Sequence, residues 1–190
     1  ISNGDALELA SEELKNDREI VLKAVKLHGI VLEFASEKLK NDREIVLAAV
    51  NSEFDGSLDG MALEFASDEL KNNREIVLKA VSQYGDGECD CEALAYASDE
   101  LKNNREIVLE AVRKNAVPED ASAQPKADRE LVLEAVKTDA DSCVIYRDFS
   151  LAYASEELRN YNEVVLEAVR ANGLSLKSVS YELRNNREIV

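Results

Sequence analysis

Tryptophan is absent from this chain, proline occurs twice, histidine once, and aromatic residues make up only 5%. Sheets draw on aromatic and β-branched residues, so a sandwich or barrel is disfavoured, while the scarcity of proline and glycine leaves most of the chain free to coil into helices. A single histidine removes the commonest acid–base group and metal ligand. The cysteines number three, an odd count that makes no disulfide framework, and a reducing compartment such as the cytoplasm or a plastid stroma is expected. Uncharged runs such as Leu27 to Leu32 fall far short of the ~20 apolar residues that span a bilayer. No transmembrane segment is expected, which leaves peripheral attachment to a membrane complex compatible. Cations are also in short supply: 23 Lys and Arg stand against 39 Asp and Glu, for a net charge of -16. Acids flank nearly every Lys or Arg, so no basic stripe exists for a phosphate backbone, and nucleic acid is excluded as a main partner. The chain opens on Ile1 without a signal-peptide pattern and stops at Val190 one turn into a helical pattern, so it reads as an internal piece of a longer polypeptide.

What is present is repetition. The string Asn-Asp/Asn-Arg-Glu-Ile-Val-Leu-x-Ala-Val returns with its glutamate at Glu19, Glu44, Glu75, Glu106, Glu130, Glu163 and Glu188, at gaps of 25, 31, 31, 24, 33 and 25 residues. The basic unit is therefore near 25 residues, with insertions at a constant place. Before each string stands a second one, Ala-Leu-Glu-Phe-Ala-Ser-x-x-Leu, with its first leucine at Leu7, Leu32, Leu63, Leu94, Leu151 and Leu176. In the later segment Ile20, Val21, Ala24 and Val25 share one helical face, with Leu22 widening the stripe. In the earlier segment Leu7, Ala10 and Leu14 share a face, and Gly4, Gly29, Gly60 and Gly173 punctuate the joint before it. Ser11 either lies within this first helix or caps a separate last turn. The pairs Asn16/Glu19, Asn41/Glu44, Asn72/Glu75, Asn103/Glu106, Asn160/Glu163 and Asn185/Glu188 match a capping box. In that motif Asn accepts an orphan amide and Glu reaches back to the cap. Helices this short are marginal alone and must be stabilised by stacking. The expectation is an all-α solenoid of about seven short helix-pair repeats, forming one domain over residues 1–190.

These alternating strings closely resemble a tandem-repeat family catalogued as a domain of unknown function, number four-one-one-six. The resemblance covers almost the whole chain. It implies a setting common in algae, including dinoflagellates, and other protists, and an organellar or photosynthetic assembly is a setting it allows. It supplies no catalytic residues and no cofactor.

The fifth unit departs from the pattern: Pro118 stands at the position of Leu32, Asp120 at that of Phe34, Pro125 at that of Leu39, and Ala127 at that of Asn41. Its first helix is expected to be missing or badly shortened and its cap lost. This is either a tolerated loop in a worn repeat or a hinge at 115–127 separating 1–114 from 128–190. Insertions occupy one joint, at Asn51 to Gly60, Gln83 to Glu92 and Thr138 to Ser150. They carry Phe54, Leu58, Tyr84, Val144, Ile145, Tyr146 and Phe149, which are candidates either for gripping a partner or for folding back over the gap between units.

The pool for catalysis is thin. His28 sits at a helix end beside Gly29, where capping explains it better than catalysis. Neither a phosphate loop nor a nucleophile elbow appears. Cys89-Asp90-Cys91 with Cys143 is the sharpest metal-like pattern, but the loops lie two units apart, about 20 Å, and no histidine completes a tetrahedron. The acids Asp55, Asp59, Asp86, Glu88 and Asp90 do not satisfy a calcium-loop register. Neither a metal nor a cofactor is expected. Arg18, Arg43, Arg74, Arg105, Arg129 and Arg187 recur at helix starts, where their charge opposes the helix dipole. An inter-repeat ladder of ion pairs to acids such as Glu8, Glu33 and Glu64 would compensate, and a row of forks for an anionic partner is the alternative. Phe34, Phe65, Tyr96 and Tyr153, with Leu9 beginning the series, read as a packing slot. The expected role is a non-catalytic scaffold binding other proteins, as an accessory or linker subunit. A regulatory metal or redox module built on the loop cysteines, and the recruiting arm of an enzyme, are the competing readings.

Overall fold

The recurring Arg-Glu-Ile-Val-Leu string starts an α-helix at four places in a computed structural model of the chain, and its variants Arg-Glu-Leu-Val-Leu and Asn-Glu-Val-Val-Leu start two more, despite the β-branched core. An Asp or Asn just before the arginine accepts the first amides, and the Ala-Val that follows keeps one face narrow enough to pack. The structure describes residues 5–54, 57–58, 60–82, 92–113, 121–141 and 151–189, and the chain divides into two units, Ile1–Leu101 and Lys102–Val190.

In the first unit, one-turn α1 (Glu12–Lys15) leads into long helix α2 (Arg18–Leu27). The pattern returns as α3 (Glu37–Lys40) with α4 (Arg43–Val50), and as α5 (Asp68–Lys71) with α6 (Arg74–Ser82). The one-turn α7 (Asp99–Lys102) stands at the boundary. The second unit holds α8 (Arg105–Arg113), α9 (Ala123–Lys126), α10 (Arg129–Asp141), α11 (Glu156–Arg159), α12 (Asn162–Ala171) and α13 (Tyr181–Arg184). A 3-10 turn precedes most one-turn helices, as at Gly29–Phe34, Gly60–Phe65 and Gly173–Ser178. Within the first unit α2 packs on α4 and α4 on α6; within the second, α8 packs on α10 and α10 on α12. Each unit is thus an all-α repeat stack.

The first half of a repeat differs from the single helix that its apolar spacing predicts. It is a 3-10 turn, a break, and one α-turn. The break comes from the serine, whose backbone is extended (Ser36 φ -62, ψ 152) and which opens the α-turn as its N-cap. Ser11 therefore caps a separate turn, accepting the Leu14 amide on Oγ, and Ser67 does the same for Leu70. The fifth repeat also keeps this turn. Pro125 is its third residue and is buried where Leu39 and Leu70 are buried elsewhere. A first-turn residue has no intrahelical partner for its amide, so proline is tolerated there and only the bond to the serine hydroxyl is given up. Ser122 accordingly makes no side-chain cap. Residues 114–120, with Pro118 and Asp120, lie outside the described residues.

One of the insertions adds a feature that the all-helical reading lacks. Strands β1 (Glu53–Phe54) and β2 (Ser57–Leu58) pair antiparallel, with Glu53 opposite Leu58 and Phe54 opposite Ser57. The Asp-Gly between them is the strongest short hairpin signal in sequence.

The core repeats with the unit. Ile45, Val46, Ala49 and Val50 are fully buried on α4, and Ile76, Val77, Ala80 and Val81 are nearly or wholly so on α6. On α8 and α10 the same slots are filled by Ile107, Val108, Leu131 and Val132, also fully buried. The aromatic slot is shallower than a core position. Phe34, Phe65 and Tyr96 are half-buried, Leu9 is exposed, and only Tyr153 is buried.

Gly29 and Gly60 are fixed by close approach to the next long helix. A Cβ on Gly29 would lie 2.2 Å from the Ala49 carbonyl oxygen, and one on Gly60 2.6 Å from that of Ala80, whereas at Gly173 nothing stands within 4 Å. Gly29→Ala and Gly60→Ala are therefore expected to lower stability in urea titrations by about 2 kcal/mol or more, because backbone must move to admit the methyl. Gly173→Ala is expected to be neutral or slightly stabilising, by up to about 1 kcal/mol. Equal losses at all three positions would contradict this packing.

Candidate functional site

The chemistry-bearing side chains of this chain meet at the seams between repeats, where a short helix end and a long helix start face their counterparts in the next repeat. At the first seam the Ser36 amide donates to the Lys15 carbonyl at 3.0 Å, and the Ser36 hydroxyl donates to Asn16 Oδ1 at 2.8 Å. Ser67 makes the same pair of bonds to Lys40 and Asn41, and Ser98 to Lys71 and Asn72. The Asn Nδ2 then donates onward, from Asn41 to Glu69 and from Asn72 to Glu100. In the second unit the amide bonds persist, Ser122 to Lys102 at 3.2 Å and Ser155 to Lys126 at 2.8 Å, and Asn103 Nδ2 donates to Gln124 instead.

The capping expectation is corrected by this geometry. Asn16, Asn41, Asn72, Asn160 and Asn185 end the one-turn helices as C-caps rather than starting the long ones. The N-cap is the next residue. Asp17 Oδ1 accepts the amides of Glu19 and Ile20, Asp42 those of Glu44 and Ile45, Asn73 those of Glu75 and Ile76, and Asn104 those of Glu106 and Ile107. Asn103 accordingly stands one residue ahead of the cap, bonded to Gln124. Asp128 takes the Leu131 amide, so the fifth repeat keeps the cap that Ala127 seemed to remove. Reciprocal capping glutamates are not needed, because the glutamates serve another bond: Glu44, Glu75, Glu130 and Glu163 accept from the arginine of the preceding repeat.

Arg18 forks onto Asp42 (Nε to Oδ2, 2.9 Å) and Glu44, and Arg105 onto Asp128 (2.8 Å) and Glu130 (2.9 Å). Arg43 bonds Glu75 and Arg129 bonds Glu163. The acids are thus those at the start of the next long helix, not Glu33 or Glu64. A carboxylate pair at a helix N-terminus, itself favoured by the dipole, draws the guanidinium in and outweighs the repulsion that Arg at a helix start would feel alone. These arginines are about half exposed, 49% for Arg18 and 50% for Arg105, so solvent screening keeps the contribution of each pair small. Burial raises the Asp42 and Asp128 carboxyls, but the guanidinium and the helix amides outweigh it and hold both below the usual aspartate value. The Asp42 and Glu44 hydrogen bonds raise Arg18 in turn.

The sixth repeat lacks the usual cap: Tyr161 occupies that position without a side-chain cap bond, and the Arg129 guanidinium lies 5.3 Å from its ring centroid. His28 stands at the C-cap of α2, its amide on the Ala24 carbonyl. Phe54 and Leu58 lie in the two-strand ladder. Tyr84, Cys89, Cys91, Cys143, Val144, Ile145, Tyr146, Phe149 and the acids Asp55, Asp59, Asp86, Glu88 and Asp90 lie outside the described residues. Among the described residues no helix is long and apolar enough to cross a membrane.

The family described as Domain of unknown function (DUF4116) matches this chain at residues 2–38, 17–54, 57–86, 88–117, 128–184 and 162–190. The chain belongs to that family. Neither a curated protein nor a solved structure matches it. The DUF4116 matches leave out 118–127, the stretch in which Pro118, Asp120, Pro125 and Ala127 replace the usual residues. In this DUF4116 chain Ser36, Ser67 and Ser98 bond back to the asparagine of the preceding repeat, and Arg18, Arg43, Arg105 and Arg129 bond forward to the glutamate that starts the next long helix. The Ser–Asn latch was missed by sequence reading, although both residues recur in fixed register.

Asp42→Asn should keep the cap, as Asn73 and Asn104 do, and remove the carboxylate from Arg18. Because the Asp42 value is depressed in the fold, its contribution is present above the ordinary 3.8 and lost as pH falls through its lower folded value. Thermal melts are therefore expected to show the variant less stable at neutral pH, by about 1 kcal/mol or less, and indistinguishable from the parent in strong acid. Tyr161→Asp should restore a cap and an arginine partner, raising stability by about 0.5–1 kcal/mol. A lower melting point for that variant would count against the cap assignment.

Proposed function

We propose that this chain is a non-catalytic helical-repeat scaffold that binds other proteins, as an accessory or linker subunit of a larger assembly. The observation that carries this reading is where variation is confined. The serine-amide bond of the seam recurs in both units, while the insertions, with their apolar residues, fall at the joint after the long helix. A repeat stack with recurring seams and variable joints separates the parts that hold the fold from the parts free to recognise a partner. The reactive side chains support the same reading. The arginines and carboxylates described above are engaged with one another at half-exposed surface positions, which uses their charge for register rather than for a poised acid or base.

The insertions are the partner surface in this reading, because they carry Tyr84, Tyr146 and Phe149, aromatic types enriched at protein interfaces, with Val144 and Ile145 beside them in the sequence. With a net charge of -16 the chain favours a partner carrying a basic rim around an apolar centre.

The test is stoichiometric co-purification from the native extract, followed by cross-linking and mass spectrometry. The parent chain is expected to retain a defined protein partner cross-linked near residues 83–92 and 138–150. Joint replacement of Tyr84, Ile145, Tyr146 and Phe149 by Ser should abolish that recovery while leaving the melting temperature unchanged. Undiminished recovery with the replaced loops, or no stoichiometric partner for the parent, would overturn the proposal.

A further inference from the structure

The seam between the sixth and seventh repeats lacks the bonds that fasten the seams before it. In the second unit the Ser155 amide donates to the Lys126 carbonyl at 2.8 Å, and Arg129 reaches forward to Glu163. Lys126 and Ser155 correspond to Arg159 and Ser180 at the next seam, and Arg129 and Glu163 to Asn162 and Glu188. Among the described residues the Ser180 amide makes no bond to the Arg159 carbonyl. Asn162 has neither the reach nor the charge to do what Arg129 does. Asn160 stands where Asn41 and Asn72 take the next serine's hydroxyl and donate onward to Glu69 and Glu100. Here its Nδ2 turns back to the Glu156 carbonyl of its own turn, at 2.9 Å, although Glu182 occupies the place of Glu69. Both sides of each missing bond lie among the described residues, so the seam is left unfastened by the side chains that stand there and by the way they bond.

A second observation comes from the short helix on the same seam. Arg159 Nε is buried and has no hydrogen-bond partner. A buried donor without a partner costs free energy, and water reaches it only when the packing around it opens. What holds the seventh repeat is apolar packing: the 3-10 turn Gly173–Ser178 lies against α12, and Val179 is buried. A repeat held by apolar contact alone opens at lower cost than one that hydrogen bonds also tie to its neighbour.

We infer that the sixth seam is a release point built into the second unit: residues 173–189 swing off α12 as one piece while α8, α10 and α12 stay packed. Opening leaves the α8–α10 and α10–α12 packing and the Ser155 seam untouched. Closing buries the apolar turn, and opening brings water to the Arg159 guanidinium, so each state relieves what the other leaves unsatisfied.

Single-residue amide exchange of the 190-residue chain tests this. The Arg184 amide, on the Ser180 carbonyl, is the counterpart of the Arg159 amide, on that of Ser155, so the two report on equivalent turns. Arg184 is expected to exchange at least about tenfold faster than Arg159, with Val165 in α12 as protected as the other long helices. Asn162→Arg supplies the missing cation for Glu188 and should slow Arg184 and Asn185 by about two- to fivefold, leaving Arg159 and Val165 as they were. Adding Glu188→Arg puts like charges across the seam and should remove that gain. Equal exchange at Arg184 and Arg159 in the parent overturns the proposal. So does an Asn162→Arg chain whose Arg184 exchanges as fast as before, the behaviour of an end that merely frays, or a slowing that survives Glu188→Arg.

Discussion

The structure depends on one bond made again and again: the serine amide that opens a short helix donates to the carbonyl that closes the short helix before it. Helices of four residues have no stability of their own, because nucleation fixes several dihedrals for very few internal bonds. Here the turn is held from outside. Ser36 on Lys15 and Ser67 on Lys40 in the first unit, and Ser122 on Lys102 and Ser155 on Lys126 in the second, place each turn at a fixed height on its neighbour. Ser67 and Ser155 also accept an amide of their own turn, those of Leu70 and Leu158, so one residue both breaks the preceding turn and starts the next helix. Seam and local fold are the same event.

Magnitudes separate what stabilises the stack from what sets its register. Burying an Ile or Val side chain contributes about 1.5–3 kcal/mol, and each long helix buries several such groups. A half-exposed arginine pair contributes little once solvent screens it, and a seam hydrogen bond about 0.5–1.5 kcal/mol. The apolar stripe therefore carries most of the stability. The polar bonds select one register among the many that a uniform apolar stripe would allow, because slipping a repeat would leave Arg18, Asp42 and Glu44 without one another. Charge held this way is committed to structure, consistent with variation being left to the joints.

Much of this was legible in the sequence. The repeat, its 25-residue unit, the long helix and the place of the insertions all followed from recurring strings, because every copy sits in the same surroundings and the pattern averages over them. The cap was misplaced by one residue because Asn16 and Asp17 are both good caps and the Asn-x-x-Glu spacing mimics a capping box. The glutamate that completes that motif belongs to the arginine of the previous repeat. The signal that separates the two readings is the long-range one: Arg always stands a full repeat ahead of a Glu. Pro125 misled for a similar reason, since a proline three residues after a serine is harmless in a first turn and harmful in a helix interior, and only the break at Ser122 tells which applies. The pairing of Glu53–Phe54 with Ser57–Leu58 was written in Asp55-Gly56, overlooked under a helical reading of the whole.

The most direct measurement of the central claim is amide hydrogen exchange at single-residue resolution. The seam amides of Ser36, Ser67, Ser122 and Ser155 should be protected to nearly the degree of the buried long-helix amides of Val46, Val77, Val132 and Val165, because a turn can open only when its repeat leaves its neighbour. Free exchange at those serines while the long helices stay protected would show that the short turns are passengers and that the stack is held by something else.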